Sequence, residues 1–164
     1  MKVRSLIALA ALFAFSIPMW SAANAASGFD SLKGLAGTWE SKGKGPDGKP
    51  MQITLRLISE GSALMEEIPH ASMVTIYHLD NDRLLMTHYC AAHNQPRMQA
   101  EVSADGKTIT FNFLDATNLA SPNDGHMRKM VLTIQDKDHF SEQWSFRKDG
   151  KDVMHETFEY TRKQ

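Results

Sequence analysis

From residue 38 onward the chain is a succession of short strand-like runs, and this regularity constrains its fold more than any other feature. The runs are 38–44, 51–58, 63–68, 72–79, 83–90, 97–103, 108–115, 127–135, 139–147 and 152–161. Between them lie turn sequences: GPDGK (45–49), EGS (60–62), DND (80–82), ADGK (104–107), QDKD (135–138) and KDGK (148–151). Gly, Asn and Asp supply the positive φ angles and side-chain caps that tight reversals need. Links of hairpin length leave no room for helical crossovers, so the sheet is antiparallel. A sheet of about ten strands removes its edges by closing, which predicts an all-β fold: an antiparallel up-and-down β-barrel with a short N-terminal helical turn.

That turn is expected in SGFDSLKGL (27–35), capped by Ser27 or Asp30, with Phe29, Leu32 and Leu35 packed over one end of the barrel. The longest irregular stretch, DATNLASPNDG (115–125), is expected to hold a helical turn before Pro122 and is a candidate portal or lid.

The first 25 residues read as a signal peptide. MKVR carries the charge, SLIALAALFAFSI is the apolar run, and Ala23 and Ala25 form the small-x-small cleavage pattern. Cleavage after Ala25 predicts a periplasmic or secreted protein, with residues 26–164 as one barrel domain. The chain's 18 Lys and Arg fall to 16 once Lys2 and Arg4 go with the leader, against 19 Asp and Glu, a net charge of −3. A mildly acidic chain without a basic run argues against a nucleic-acid partner. No later stretch approaches the length of a membrane-spanning helix. The single Cys cannot form an internal disulfide, so packing must hold the fold.

Register can be read from the last three runs. A three-residue turn at 136–138 sets Ile134 opposite Phe140, Leu132 opposite Glu142 and Met130 opposite Trp144. A three-residue turn at 148–150 sets Phe146 opposite Asp152, Trp144 opposite Met154 and Phe140 opposite Phe158. Arg128, Glu142 and Glu156 then share the inner face with the apolar residues, and His155 points out. Inward charges suit either a polar, ligand-accepting interior or the watery barrel mouths.

In hairpin 72–90, a two-residue Asn81-Asp82 loop puts Met73, Thr75, Tyr77, Leu79, Leu84, Met86, His88 and Cys90 on one face. Val74, Ile76, His78, Leu85, Thr87 and Tyr89 take the other, and the pattern leaves open which face is inward. His88 and Cys90 share a face, and His93 is a third candidate ligand for zinc. The alternative is a structural His beside a buried thiol. A Cys90–His88 or Cys90–His93 nucleophile pair needs an orienting third group, for which Asn94 or Asp82 is available, and an oxyanion hole; strand neighbours two apart lie side by side without aligning, so no catalytic residue is assigned and an enzyme is not the favoured reading. NQPR (94–97) is a turn feeding a strand, with Arg97 able to reach a carboxylate or phosphate at the mouth. Glu66-Glu67 and Asp80/Asp82 read as solvated edge and turn charges.

LAGTWESKGKG (35–45), with Gly-x-Trp at the start of the first strand, resembles the signature of the calycin superfamily: lipocalins, fatty-acid-binding proteins and haem-binding nitrobindins. The resemblance implies that Trp39 plugs the closed end of the barrel. Gly43 and Gly45 are similar to the glycines that follow the Trp in nitrobindins, offset by two positions. A nitrobindin-like haem would be held by a His near the C-terminus, for which His155 is the positional candidate. YHLDNDRLLMTHYCAAHNQPRM (77–98) also resembles exported bacterial proteins of lipocalin-like type.

The sequence therefore predicts an exported barrel that binds a small apolar or amphipathic molecule in its interior. Tyr77, Met86, His88, Cys90, Arg97, Arg128 and Trp144 are expected as lining or mouth groups. No cofactor is required. A haem protein using His155, a metal protein using His88, Cys90 and His93, a hydrolase-like enzyme, and a ligand-free envelope interaction protein are the alternatives.

Overall fold

Ten antiparallel strands close on themselves in the computed structural model, which describes residues 20–45 and 47–164. They are β1 (Gly37–Lys44), β2 (Pro50–Ile58), β3 (Ala63–Ile68), β4 (Met73–Asp80), β5 (Arg83–Tyr89), β6 (Gln95–Val102), β7 (Thr108–Thr117), β8 (His126–Asp136), β9 (His139–Lys148) and β10 (Lys151–Arg162). Each strand pairs with its neighbours in sequence, and β1 pairs with β10 to shut the barrel. The expected all-β, up-and-down architecture is the one observed. The charged start and apolar run of the expected signal peptide lie outside the described residues. Among the described residues no helix is long and apolar enough to cross a membrane.

One helix precedes the strands: α1 (Trp20–Lys33). It starts earlier than expected, so Ser27 and Asp30 lie within it and cap nothing. The peptide bond after Ala25 falls inside it, and the residues beyond that bond still carry Phe29 and Leu32. Both side chains are buried, as is Leu35 just after the helix, and they cover one end of the barrel near β4, β5 and β6.

Trp39 completes this closed end. It is fully buried, its Nε1 donates to the Leu35 carbonyl at 2.8 Å, and its ring meets Phe140 edge-on at 4.7 Å. The Arg162 guanidinium lies 4.1 Å from the Trp39 ring centroid and donates to the Ala36 and Gly34 carbonyls at 2.8 and 3.0 Å. These contacts explain the glycine of Gly-x-Trp. Gly37 has φ +144°, and a Cβ there would sit 2.6 Å from Arg162 Nη1.

The expected β8–β9 register is observed, with Ile134–Phe140, Leu132–Glu142 and Met130–Trp144 opposed. The β9–β10 pairing differs. A two-residue Asp149-Gly150 turn pairs Lys148 with Lys151, and Val153 is an extra, exposed residue, so Met154 opposes Phe146, Glu156 opposes Trp144 and Tyr160 opposes Phe140. The shift equals two residues, which preserves faces while changing partners. Segment 118–125 contains no helical turn; β7 runs on to Thr117, and a turn closed by Asp124 N–H to Ser121 O follows.

Candidate functional site

The hairpin β4–β5 turns its mixed face inward. Thr75, Tyr77, Leu84, Met86 and His88 are all buried, with Thr75 opposite His88 and Tyr77 opposite Met86 as expected. Across the barrel, β9 contributes Glu142 and Trp144, and β3 contributes Glu66. Glu66 corrects the sequence reading: it is no edge charge but a fully buried carboxyl, while Glu67 lies outside against Arg56.

These side chains form a polar cluster inside an otherwise apolar core. Tyr77 Oη donates to Glu66 Oε2 at 2.7 Å, and Trp144 Nε1 donates to Glu142 Oε2 at 3.0 Å. Thr75 Oγ1 and His88 Nδ1 are 2.9 Å apart, and the His88 and Trp144 rings lie 4.8 Å apart, bridging the barrel from wall to wall. Among the described residues, four buried side-chain atoms lack a hydrogen-bond partner: Glu66 Oε1, Glu142 Oε1, His88 Nε2 and Asn94 Oδ1. Three of them belong to this cluster.

Burial sets the protonation of the group. It raises both glutamates above the usual carboxyl range, Glu66 to about 7, and the charge of each carboxyl acts on the other. A proton on one of the Oε1 atoms supplies the donor that the pair otherwise lacks, so burial favours a pair that keeps at least one proton. Burial lowers His88 to about 4, so its imidazole is neutral. Burial also raises the Tyr77 and Tyr160 phenols, which remain neutral donors.

A cavity of about 70 Å³ opens over this cluster at the end of the barrel opposite α1. His88, Glu142, Trp144 and Tyr160 line its depth, and Ile68, His70, Met73, Met127, Met154, Glu156 and Phe158 form its walls and rim. Pairing of β5 with β6 stops at Thr87–Arg97, and Pro96, which has no N–H to offer, follows where the strands part. The loop between them is tied to segment 118–125 by Asn94 Nδ2 donating to Gly125 O at 2.8 Å, and by Asn118 Nδ2 donating to His93 O.

The other expected site residues lie elsewhere. Arg97 is exposed and paired with Asp115, because its neighbours Pro96 and Met98 take the inner positions. Arg128 is an extra residue in β8, between Met127 opposite Phe146 and Lys129 opposite Ser145. That bulge removes it from the inner-face alternation, and its guanidinium lies 5.6 Å from the Phe113 ring centroid in a separate groove with Leu119 and Arg147.

Cys90 is half-buried just beyond β5, its thiol raised by burial, so it is no activated nucleophile. His93 is exposed in the following loop, with φ +63°. Among the described residues no three His, Cys, Asp or Glu side chains are grouped to hold a metal ion, which removes the His88–Cys90–His93 set. His155 is exposed on the outside of β10, 3.0 Å from Ser145 Oγ. It does not line the cavity, and the cavity is far smaller than a porphyrin, so these residues do not fit haem.

No family model matches the chain, and no curated protein does. Among solved structures, the crystal structure of Rv2717c from M. tuberculosis is similar with a TM-score of 0.51 at 14% identity, covering 84% of this chain and 97% of that one. A redesigned beta barrel gives a TM-score of 0.34 at 12% identity, covering 81% and 94%. The likeness to Rv2717c is one of fold alone.

Proposed function

We propose that the chain is an exported, calycin-type barrel that binds a small amphipathic molecule at its open end. The polar end of the molecule is held at His88 Nε2, and its apolar part lies among Met73, Met127, Met154 and Phe158. The observation that carries this reading is a buried imidazole nitrogen without a partner, on a histidine that lines a cavity walled by three methionines. An unmet hydrogen-bonding group of this kind costs about 1–3 kcal/mol until something meets it. Unbranched thioethers let the walls adapt to a guest. About 70 Å³ accommodates a polar group and a few carbons, so the rest of the molecule leaves through the mouth. The interior below is filled by Trp39, Phe111, Phe140, Met86 and Met98, which confines binding to the open end.

Native mass spectrometry of protein released gently from the periplasm tests both parts of the reading. The expected mass is that of residues 26–164 plus a small adduct that organic extraction removes. Met127→Trp, which fills the mouth, abolishes the adduct; Arg97→Ala, Arg128→Ala and His155→Ala retain it. A protein retained in the cytoplasm with its leader contradicts export. A bare mass, with no uptake from an extract of envelope lipids, contradicts ligand binding.

A further inference from the structure

We infer that the polar end of the guest is an organic cation, a primary amine or ammonium group, seated over Glu142 against the Trp144 and Tyr160 rings. The inference rests on the binding reading above and adds the charge of the ligand.

Three features converge on it. First, the cavity is acidic in composition: Glu142 lines its depth, Glu156 its rim, and no Lys or Arg is among the described residues that line it. Glu66 stands behind Glu142, so two carboxyls are buried together while every group that hydrogen-bonds them is neutral. Buried acids are ordinarily matched by a base, and this pair has none among the described residues. Second, the walls are aromatic. Trp144, Phe158 and Tyr160 line one cavity, and aromatic ring faces attract a desolvated cation. Third, the remaining hydrogen-bonding group in the depth, His88 Nε2, accepts an N–H whenever Nδ1 carries the ring proton toward Thr75 Oγ1.

A carboxylate guest fails on the same grounds. It would add a third acid to two that already share their protons, with no positive group to meet it. An ammonium instead takes the place of the proton: the O–H bond of one carboxyl breaks, that proton leaves to solvent, and the carboxylate left behind pairs with the cation. The titratable groups facing the pair are Tyr77, Tyr160 and, across Trp144, His88, with Glu156 and the exposed His70 at the rim. None of the buried three, Tyr77, Tyr160 and His88, supplies a competing positive charge at neutral pH.

The test is isothermal titration calorimetry with three probes of equal chain length: hexylamine, hexanol and hexanoate. Hexylamine is expected to bind at least tenfold more tightly than hexanol, with net proton release read from buffers of different ionisation enthalpy, and hexanoate is expected not to bind. Glu142→Gln keeps the side-chain shape and the acceptor for Trp144 Nε1. It should abolish the preference, bringing hexylamine affinity down to that of hexanol for the same variant. Equal affinity for hexylamine and hexanol, or a preference that survives Glu142→Gln, overturns the cation while leaving the binding site standing. Failure of all three probes to bind overturns both.

Discussion

Trp39→Ala should remove roughly a third or more of the folding stability, and Trp39→Phe much less. The side chain is fully buried, and its truncation leaves a cavity against Phe140 and Arg162, a class of change that costs about 3–5 kcal/mol. It also strips the Leu35 carbonyl of its donor, adding about 1 kcal/mol. Domains of this size are stable by only about 5–15 kcal/mol. The Phe variant loses the hydrogen bond but keeps a ring for Phe140 and Arg162, so the two variants separate packing from hydrogen bonding. Urea unfolding followed by circular dichroism measures both. A Trp39→Ala protein within about 1 kcal/mol of wild type would show that the closed end is held by α1 rather than by the indole.

The second large effect is a fall in stability as pH rises from 6.5 to 8. Glu66 and Glu142 ionise near 4.5 when unfolded and higher when folded, because burial disfavours their charge. The folded state therefore binds more protons across that interval, and its stability declines as pH climbs through it. Each such group contributes a slope of about 1.4 kcal/mol per pH unit until it ionises in the folded state. His88 acts in the opposite sense: with its folded value near 4 against 6.5 unfolded, its contribution is complete above 6.5 and is lost on acidification. From pH 6.5 upward the folded imidazole is neutral and the unfolded one is losing its remaining half proton, so His88 returns only about 0.4 kcal/mol and the glutamates dominate. A loss on the order of 2 kcal/mol between pH 6.5 and 8 is expected. Glu142→Gln should flatten the profile, since the amide carries no charge and its N–H can donate to Glu66 Oε1. Urea midpoints at the two pH values decide it. A flat wild-type profile, or an equal slope in the variant, contradicts a buried proton-sharing pair.

The strand plan was legible because β-barrel strands alternate and their turns are chemically distinct, and β8–β9 shows how far that carries. Alternation together with the DKD turn is enough to set Leu132 opposite Glu142 and to turn both inward. Legibility failed where one extra residue enters a strand. Arg128 belongs to the inner set by counting, and a bulge at that position removes it; nothing local in HMRKM announces the bulge. Val153 shifts the β9–β10 partners in the same way. Glu66 is a different case, because its signal was present. Leu64, Glu66 and Ile68 alternate on one face, so the acid had to point wherever the two apolar residues did. The pairing of Glu66 with Glu142 was beyond reach, since it depends on two walls meeting across the barrel. The same holds for His88. Strand geometry correctly put it on the face of Thr75 and Tyr77, but Trp144 and the orphaned Nε2 become visible only once the barrel closes. Cys90 and His93 drew attention by proximity in sequence, yet β5 ends at Tyr89 and the loop carries them away from the interior.

The central claim is that His88 Nε2 receives the polar end of a guest at the open end of the barrel. Long-range ¹H–¹⁵N correlation of the histidine ring nitrogens, recorded while hexylamine or hexanol is added, tests it most directly. The predicted result is a saturable shift of His88 Nε2, with His93 and His155 unmoved. A guest that shifts His126, beside the separate groove of Arg128, and leaves His88 unchanged would contradict the assignment and move the site to the outside of the barrel.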